Sequence, residues 1–158
     1  MGANVSECPV SHRTERVRFL DRAKDAGTAP TVHSSALQDS VLPIVDAGLA
    51  DLVENGQELG PGLRLINLPG HTPGQMGLRL DYPNGRAVFC GDVLHSPVQI
   101  LDPSISTISC MEPTVANATR RALLEEASET NRLVVPAHFR GPRCTYVRYG
   151  SGAFEPVL

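Results

Sequence analysis

Tryptophan is absent from this 158-residue chain and aromatic residues make up only 4% of it, so a core has to be built mostly from aliphatic side chains with few large anchors. No apolar run approaches the roughly 18 residues of a membrane span, and the opening MGANVSECPVSHRTERVR lacks the apolar centre of a signal peptide. Neither sign of charge dominates: 14 basic and 17 acidic side chains leave a formal net charge of −3. With the signs interspersed there is no basic stripe, which argues against nucleic acid and anionic membranes as partners. The four cysteines, Cys8, Cys90, Cys110 and Cys144, include no C-x-x-C pair. A zinc knuckle and a disulfide framework are therefore not suggested, and reduced thiols in the cytoplasm are the expectation. Cys8 and His12 have a ligand-like spacing but no second pair beside them, and read as part of an incidental loop. MGANVS fits the N-myristoylation pattern, which is too short and common to carry weight.

A chain of this length suits one domain, able to bury about 70% of the surface its unfolded form exposes. Residues 1–15 have no apolar period and read as a loose arm; residues 16–158 read as the domain. VRFL, Val17 to Leu20, is a short strand. From His33 to Ala47, Leu37, Val41, Ile44 and Val45 form one helical stripe, with Ser34 or Ser35 as cap, Gly48 as stop and Pro43 as a kink or split. Short strands follow: DLVE, then after the turn-rich ELGPG come LRLINL, MGLRLD, and RAVFCGD beyond a YPNG turn. Residues 93–113 are irregular and too long for an ordinary connection, which marks a site-lining loop. A second helix, PTVANATRRALLEEASET, carries Val115, Ala118, Ala122, Leu123 and Ala127 on one side. RLVVPAHF is an apolar strand, and TYVRYG with GAFEPV forms a hairpin around Gly150-Ser151-Gly152. Strands in two groups flanked by helices imply a mixed α/β layered domain.

Three strand ends carry chemistry. His71 stands between Pro69-Gly70 and Pro73-Gly74, pairs that favour tight turns and hold a side chain still. Asp92 follows Gly91 at the tip of RAVFCG, and His138 follows Pro136-Ala137 at the tip of RLVV. Each has an ordinary alternative: a satisfied histidine for His71, a turn-capping carboxylate for Asp92, a carbonyl-bonded histidine for His138. Taken together, two histidines and an aspartate suit a borderline cation such as zinc.

LPGHTPGQ, FCGDVLH and VVPAHF, in this order and with these gaps, resemble the later motifs of the metallo-β-lactamase superfamily. The match is closest to its hydrolase branch that includes lactonases acting on acyl-homoserine lactones. The resemblance implies the C-terminal half of an αββα sandwich, mainly antiparallel strands with flanking helices. It also implies a metal-dependent hydrolase that opens a lactone or ester-type carbonyl of a small molecule through a metal-bound hydroxide. In the family two metals, usually zinc, share that hydroxide; His and Asp donors equally accept iron, manganese or cobalt. By position, His71 resembles a ligand of the first metal, Asp92 the bridging and catalytic carboxylate, and His138 the last ligand of the second metal. His95 is a pocket residue or a hydrogen-bond donor behind the ligands, with a solvent-facing loop histidine as the alternative; Phe139 is pocket wall or core. Gln75 replaces a histidine often seen in HTPGH that is not usually a ligand.

The family's H-x-H-x-D-H motif does not occur in the chain. Each metal then keeps two protein ligands where a catalytic zinc has three, and a truncated, impaired hydrolase is expected. One sheet face should also lack its partner layer, which implies a homo-oligomer or a complementing N-terminal half. Two other readings stay open: a non-catalytic half-fold interaction module, and a fragment from an incomplete gene model.

Overall fold

A computed structural model of the chain describes residues 37–51 and 53–157. The expected arm, the VRFL strand, the Cys8 and His12 pair and the Ser34 or Ser35 cap lie outside the described residues. The chain divides into two units between Val53 and Glu54.

In the first unit a π-helical turn, Leu37–Val41, leads into α1, Leu42–Asp46. Pro43 occupies the first turn of α1, where its missing N–H removes no intrahelical bond, so it starts the helix after the split. Gly48 has φ of +70° and ends it, its amide donating to the Val45 carbonyl and that of Leu49 to the Ile44 carbonyl, a Schellman arrangement. Of the expected apolar stripe, Val41 and Ile44 are about half exposed, and no residue of α1 is buried.

The second unit is built on a five-stranded sheet of β1, Glu58–Gly60, β2, Leu63–Asn67, β3, Met76–Tyr82, β4, Gly85–Gly91, and β5, Leu133–Pro136, in that order. The first three pairings are antiparallel and β4 pairs with β5 in parallel. DLVE forms no strand among its described residues; the edge strand lies in the segment expected to be a turn. Backbone bonds from Gly56 to Leu65 and from Leu65 to Gln57, with the Arg64–Glu58 ion pair at 2.8 Å, fix that edge onto β2. The connection from β4 to β5 contains the short α2, Val98–Leu101, and the 18-residue α3, Pro113–Thr130. A separate hairpin of β6, Tyr146–Gly150, and β7, Ala153–Val157, closes the unit. Its two-residue turn has positive φ at both Ser151 and Gly152, as the twist of a tight hairpin requires. No helix among the described residues is long and apolar enough to cross a membrane.

The register divides the sheet into two unlike faces. On one, Val88, Cys90 and Val134 pack with Leu123, Leu124 and Ala127 of α3 in the hydrophobic core. Buried Arg132 stitches this side, reaching Asp81 at 2.8 Å and Glu126 at 3.2 Å; Arg79 also pairs with Glu126. The helix buries Ala116, Arg120, Leu123, Leu124 and Ala127. This corrects the expected stripe, since Val115, Ala118 and Ala122 are exposed: the inward line runs through an arginine, which apolar periodicity does not count. On the opposite face, Leu65, Leu78, Phe89 and Val135 stand in one row and Leu63, Leu80, Ala87 and Leu133 in the next. All eight are apolar, only Ala87 is buried, and Phe89 is 43% exposed.

Candidate metal centre

The strand ends carry their polar side chains to one place. After β2 the chain folds into the loop 68–75, closed by Leu68 N–H to the Gln75 carbonyl at 2.9 Å and Gln75 N–H to the Thr72 carbonyl at 3.2 Å. Gly70, at φ +129°, lets this loop lie directly on α3: a Cβ there would stand 2.3 Å from Cα of Ala116. The amides of Met111 and Glu112 donate to the carbonyls of His71 and Gly70, both at 3.0 Å, and Thr119 Oγ1 donates to the Pro69 carbonyl at 2.7 Å. His71 is held in this clamp, buried. Gly91, at φ +53°, turns the end of β4 so that Asp92 leaves the sheet, and the Ala137 amide donates to the Gly91 carbonyl at 3.2 Å. That bond brings the end of β5, and His138, alongside.

Asp92 is the hub. Its Oδ1 lies 2.6 Å from Nε2 of His138 and 3.8 Å from Nε2 of His95; its Oδ2 lies 3.8 Å from Nε2 of His71. The His95 ring stacks on that of His138, with centroids 5.2 Å apart and planes 8° apart, and lies 4.9 Å from that of His71. Oδ1 of Asp92 is buried yet accepts no hydrogen bond of acceptable geometry, despite the close approach of His138. A buried carboxylate oxygen without a donor and facing imidazole nitrogens fits a cation. His71 and Asp92, and Asp92 with His138, would hold it. Burial, ahead of every other influence, lowers the His95 pKa; Asp92 opposes this while His71, His138 and Arg120 add to it. Lowered basicity favours the neutral imidazole that binds metals.

All four polar residues singled out in the sequence thus meet. Phe139 is only 8% exposed and belongs to the hydrophobic core, and it also borders a concavity of about 520 Å³ with His138, Arg140 and Arg143. Three residues around the site escaped sequence reasoning. Gln99, 1% exposed, accepts from the His95 amide at 2.7 Å through Oε1 and donates from Nε2 to the Ile105 carbonyl at 2.9 Å. Cys110 places its sulfur 3.8 Å from His71 Nδ1. Arg120, fully buried, donates to the carbonyls of Val93, Pro103 and Ile105. Their only signal was position, in or facing the irregular loop 93–113.

The model of the metallo-beta-lactamase superfamily matches residues 7–138. No curated protein matches significantly. Among solved structures, a hydrolase of the beta lactamase superfamily, AbOPH, is 21% identical with a TM-score of 0.74, over 90% of this chain and 49% of that one. AidC, a dizinc quorum-quenching lactonase in complex with a product, is 17% identical with a TM-score of 0.64, over 77% and 46%. A probable metal-dependent hydrolase from Staphylococcus aureus is 17% identical with a TM-score of 0.59, over 71% and 40%. In each case the match spans less than half of the solved chain.

Proposed function

Because the chain belongs to the metallo-beta-lactamase superfamily, we propose that it carries the metal-binding and proton-transferring half of a hydrolase that opens lactones or ester-type carbonyls of small molecules. The observation that supports this reading is the convergence of His71 and His138 on the two oxygens of Asp92. A bound ion of the zinc type supplies Lewis acidity, making water a better nucleophile and drawing charge from a carbonyl oxygen. Asp92 orients the attacking water and accepts its proton as the new C–O bond forms. When the ester C–O bond breaks, Asp92 returns that proton to the leaving alkoxide, so that acid and alcohol are the products. His138 with Asp92, and His71 with Asp92, would hold metal at the two carboxylate oxygens, and the clamp on loop 68–75 keeps His71 in place. The dizinc lactonase among the structural neighbours supports the substrate class.

The full family ligand set comes, in this reading, from a complementing segment that bears an H-x-H-x-D-H motif. The apolar sheet face headed by Phe89 supports such a docking layer. It equally favours a second reading, in which the half-fold serves as a non-catalytic module that pairs through that face.

The test is hydrolysis of an acyl-homoserine lactone and an aryl ester by the zinc-loaded chain, alone and with a complementing N-terminal half. Metal-dependent turnover that falls at least 100-fold in Asp92→Ala and His138→Ala is expected. Equal rates for wild type and Asp92→Ala in both settings would leave the pairing module as the reading.

A further inference from the structure

The two oxygens of Asp92 are not served alike. Oδ2 faces one imidazole, that of His71, whereas Oδ1 faces two, those of His138 and His95. We propose that His95 is itself a metal ligand, completing with Asp92 and His138 a three-residue site that holds one divalent ion on the Oδ1 side. The inference rests on the metal-centre reading above and adds to it a ligand that the superfamily resemblance does not supply.

Three observations carry it. Donor atoms of Asp92, His95 and His138 all lie within 4.8 Å of one another. Around a tetrahedral ion with arms of about 2.0–2.1 Å, donor atoms stand about 3.3 Å apart; the separations from Oδ1, 2.6 Å to His138 and 3.8 Å to His95, bracket that value. Small side-chain shifts in opposite senses bring both to it. The two rings are neighbours, with centroids 5.2 Å apart, and the Nε2 atom of each faces the same Asp92 oxygen. Finally, His95 is not a loose loop residue. Its side chain is 19% exposed, and its amide is fixed on the buried Gln99, which is anchored in turn to Ile105.

Chemically the addition matters because it changes a count. Two protein ligands leave an ion weakly held, while three with an open position are the arrangement of catalytic zinc. Asp92 and His95 are three residues apart on the turn that follows β4, so one local segment supplies two of the three donors. The long-range bond from Ala137 to Gly91 brings in the third.

The experiment titrates the metal-stripped full chain with cobalt(II), followed by visible absorption and by calorimetry. One equivalent bound is expected. His95→Phe, which keeps a ring of similar size, and His95→Gln should each weaken binding at least 100-fold, as should His138→Phe. Far-UV circular dichroism checks that each variant is folded. X-ray absorption of the zinc-loaded His71→Phe chain supplies a second readout, with two imidazoles per ion expected. One imidazole there, or His95 variants that bind like wild type while His138→Phe does not, would overturn the assignment of His95 and leave the hydrolase reading intact. A wild-type chain that holds no ion would overturn the three-residue site as well, and the complemented hydrolase would still stand or fall by its own assay.

Discussion

Arg120 donates from Nε to the carbonyl of Val93 at 2.8 Å, from a side chain with no exposed surface. The same guanidinium reaches Pro103 at 2.6 Å and Ile105 at 2.7 Å through Nη1. One helix residue therefore ties the start of the loop that follows Asp92 to its middle. A loop this long has no strand or helix ladder for most of its carbonyls. A fully buried cation that satisfies three of them, from a helix already packed on the sheet, turns it into a fixed wall of the site.

Replacing that cation tests the claim. Arg120→Met keeps much of the volume but takes the donor from the Val93 and Pro103 carbonyls and leaves Ile105 only its bond from Gln99, and loss of about 3–5 kcal/mol of unfolding free energy is expected. Urea denaturation followed by circular dichroism measures it. A loss below about 1 kcal/mol would mean that water or backbone rearrangement satisfies the loop equally well.

The His71 loop has its own critical contact, between Gly70 and the backbone of Ala116. An added Cβ would meet both Cα and N of Ala116 at 2.3 Å, and the residue's φ of +129° is unfavourable for any side chain. Gly70→Ala should therefore destabilise by well over about 2 kcal/mol. Gly74→Ala in the same loop meets nothing within 4 Å and should stay within about 0.5 kcal/mol of wild type. Thermal unfolding of the two variants side by side decides it; similar midpoints would refute the close approach of loop and helix.

These two contacts also explain what the sequence could and could not disclose. His71, Asp92 and His138 were legible because each ends a strand beside a Pro or Gly that shapes the backbone locally. The strands from β2 onward were legible from their alternation, and the closing hairpin from Gly150-Ser151-Gly152. Arg120 was not, because its partners are carbonyls 15 to 27 residues away and an arginine in a helix normally reads as solvated surface. Gln99 and Cys110 were hidden for the same reason, as the shape of loop 93–113 is set by tertiary contacts. β1 was missed because its strand character lies in pairing with β2, while its own Glu-Leu-Gly reads as turn.

The apolar sheet face around Phe89 yields a prediction about association. Phe89 is 43% exposed in a row of apolar residues, and apolar faces of this kind drive pairing. Wild type should show concentration-dependent association in sedimentation velocity. Phe89→Glu should shift it toward monomer while changing stability by less than about 1 kcal/mol. Val88, on the other face and 2% exposed, is the control: Val88→Glu should prevent folding. Unchanged sedimentation of Phe89→Glu would exclude this face as the interface.

The thiols give a pH test of the core. Cys90 has no exposed surface, and burial pushes its pKa from 9.0 up to about 12; Cys144 is exposed. At pH 8, iodoacetamide should modify Cys144 at least 100-fold faster than Cys90, as read by peptide mapping. The sign of the stability effect follows from proton binding. Above about pH 9 the unfolded chain gives up the Cys90 proton while the folded one keeps it, so folding stability falls as pH rises from about 9 toward about 12. The contribution is close to 1.4 kcal/mol per pH unit at most, and Cys90→Ala should remove it from the alkaline limb of the denaturation curve. Rapid alkylation of Cys90 in the folded chain, or an identical alkaline slope in the variant, would show that β4 opens to solvent and that the core against α3 is looser than its packing implies.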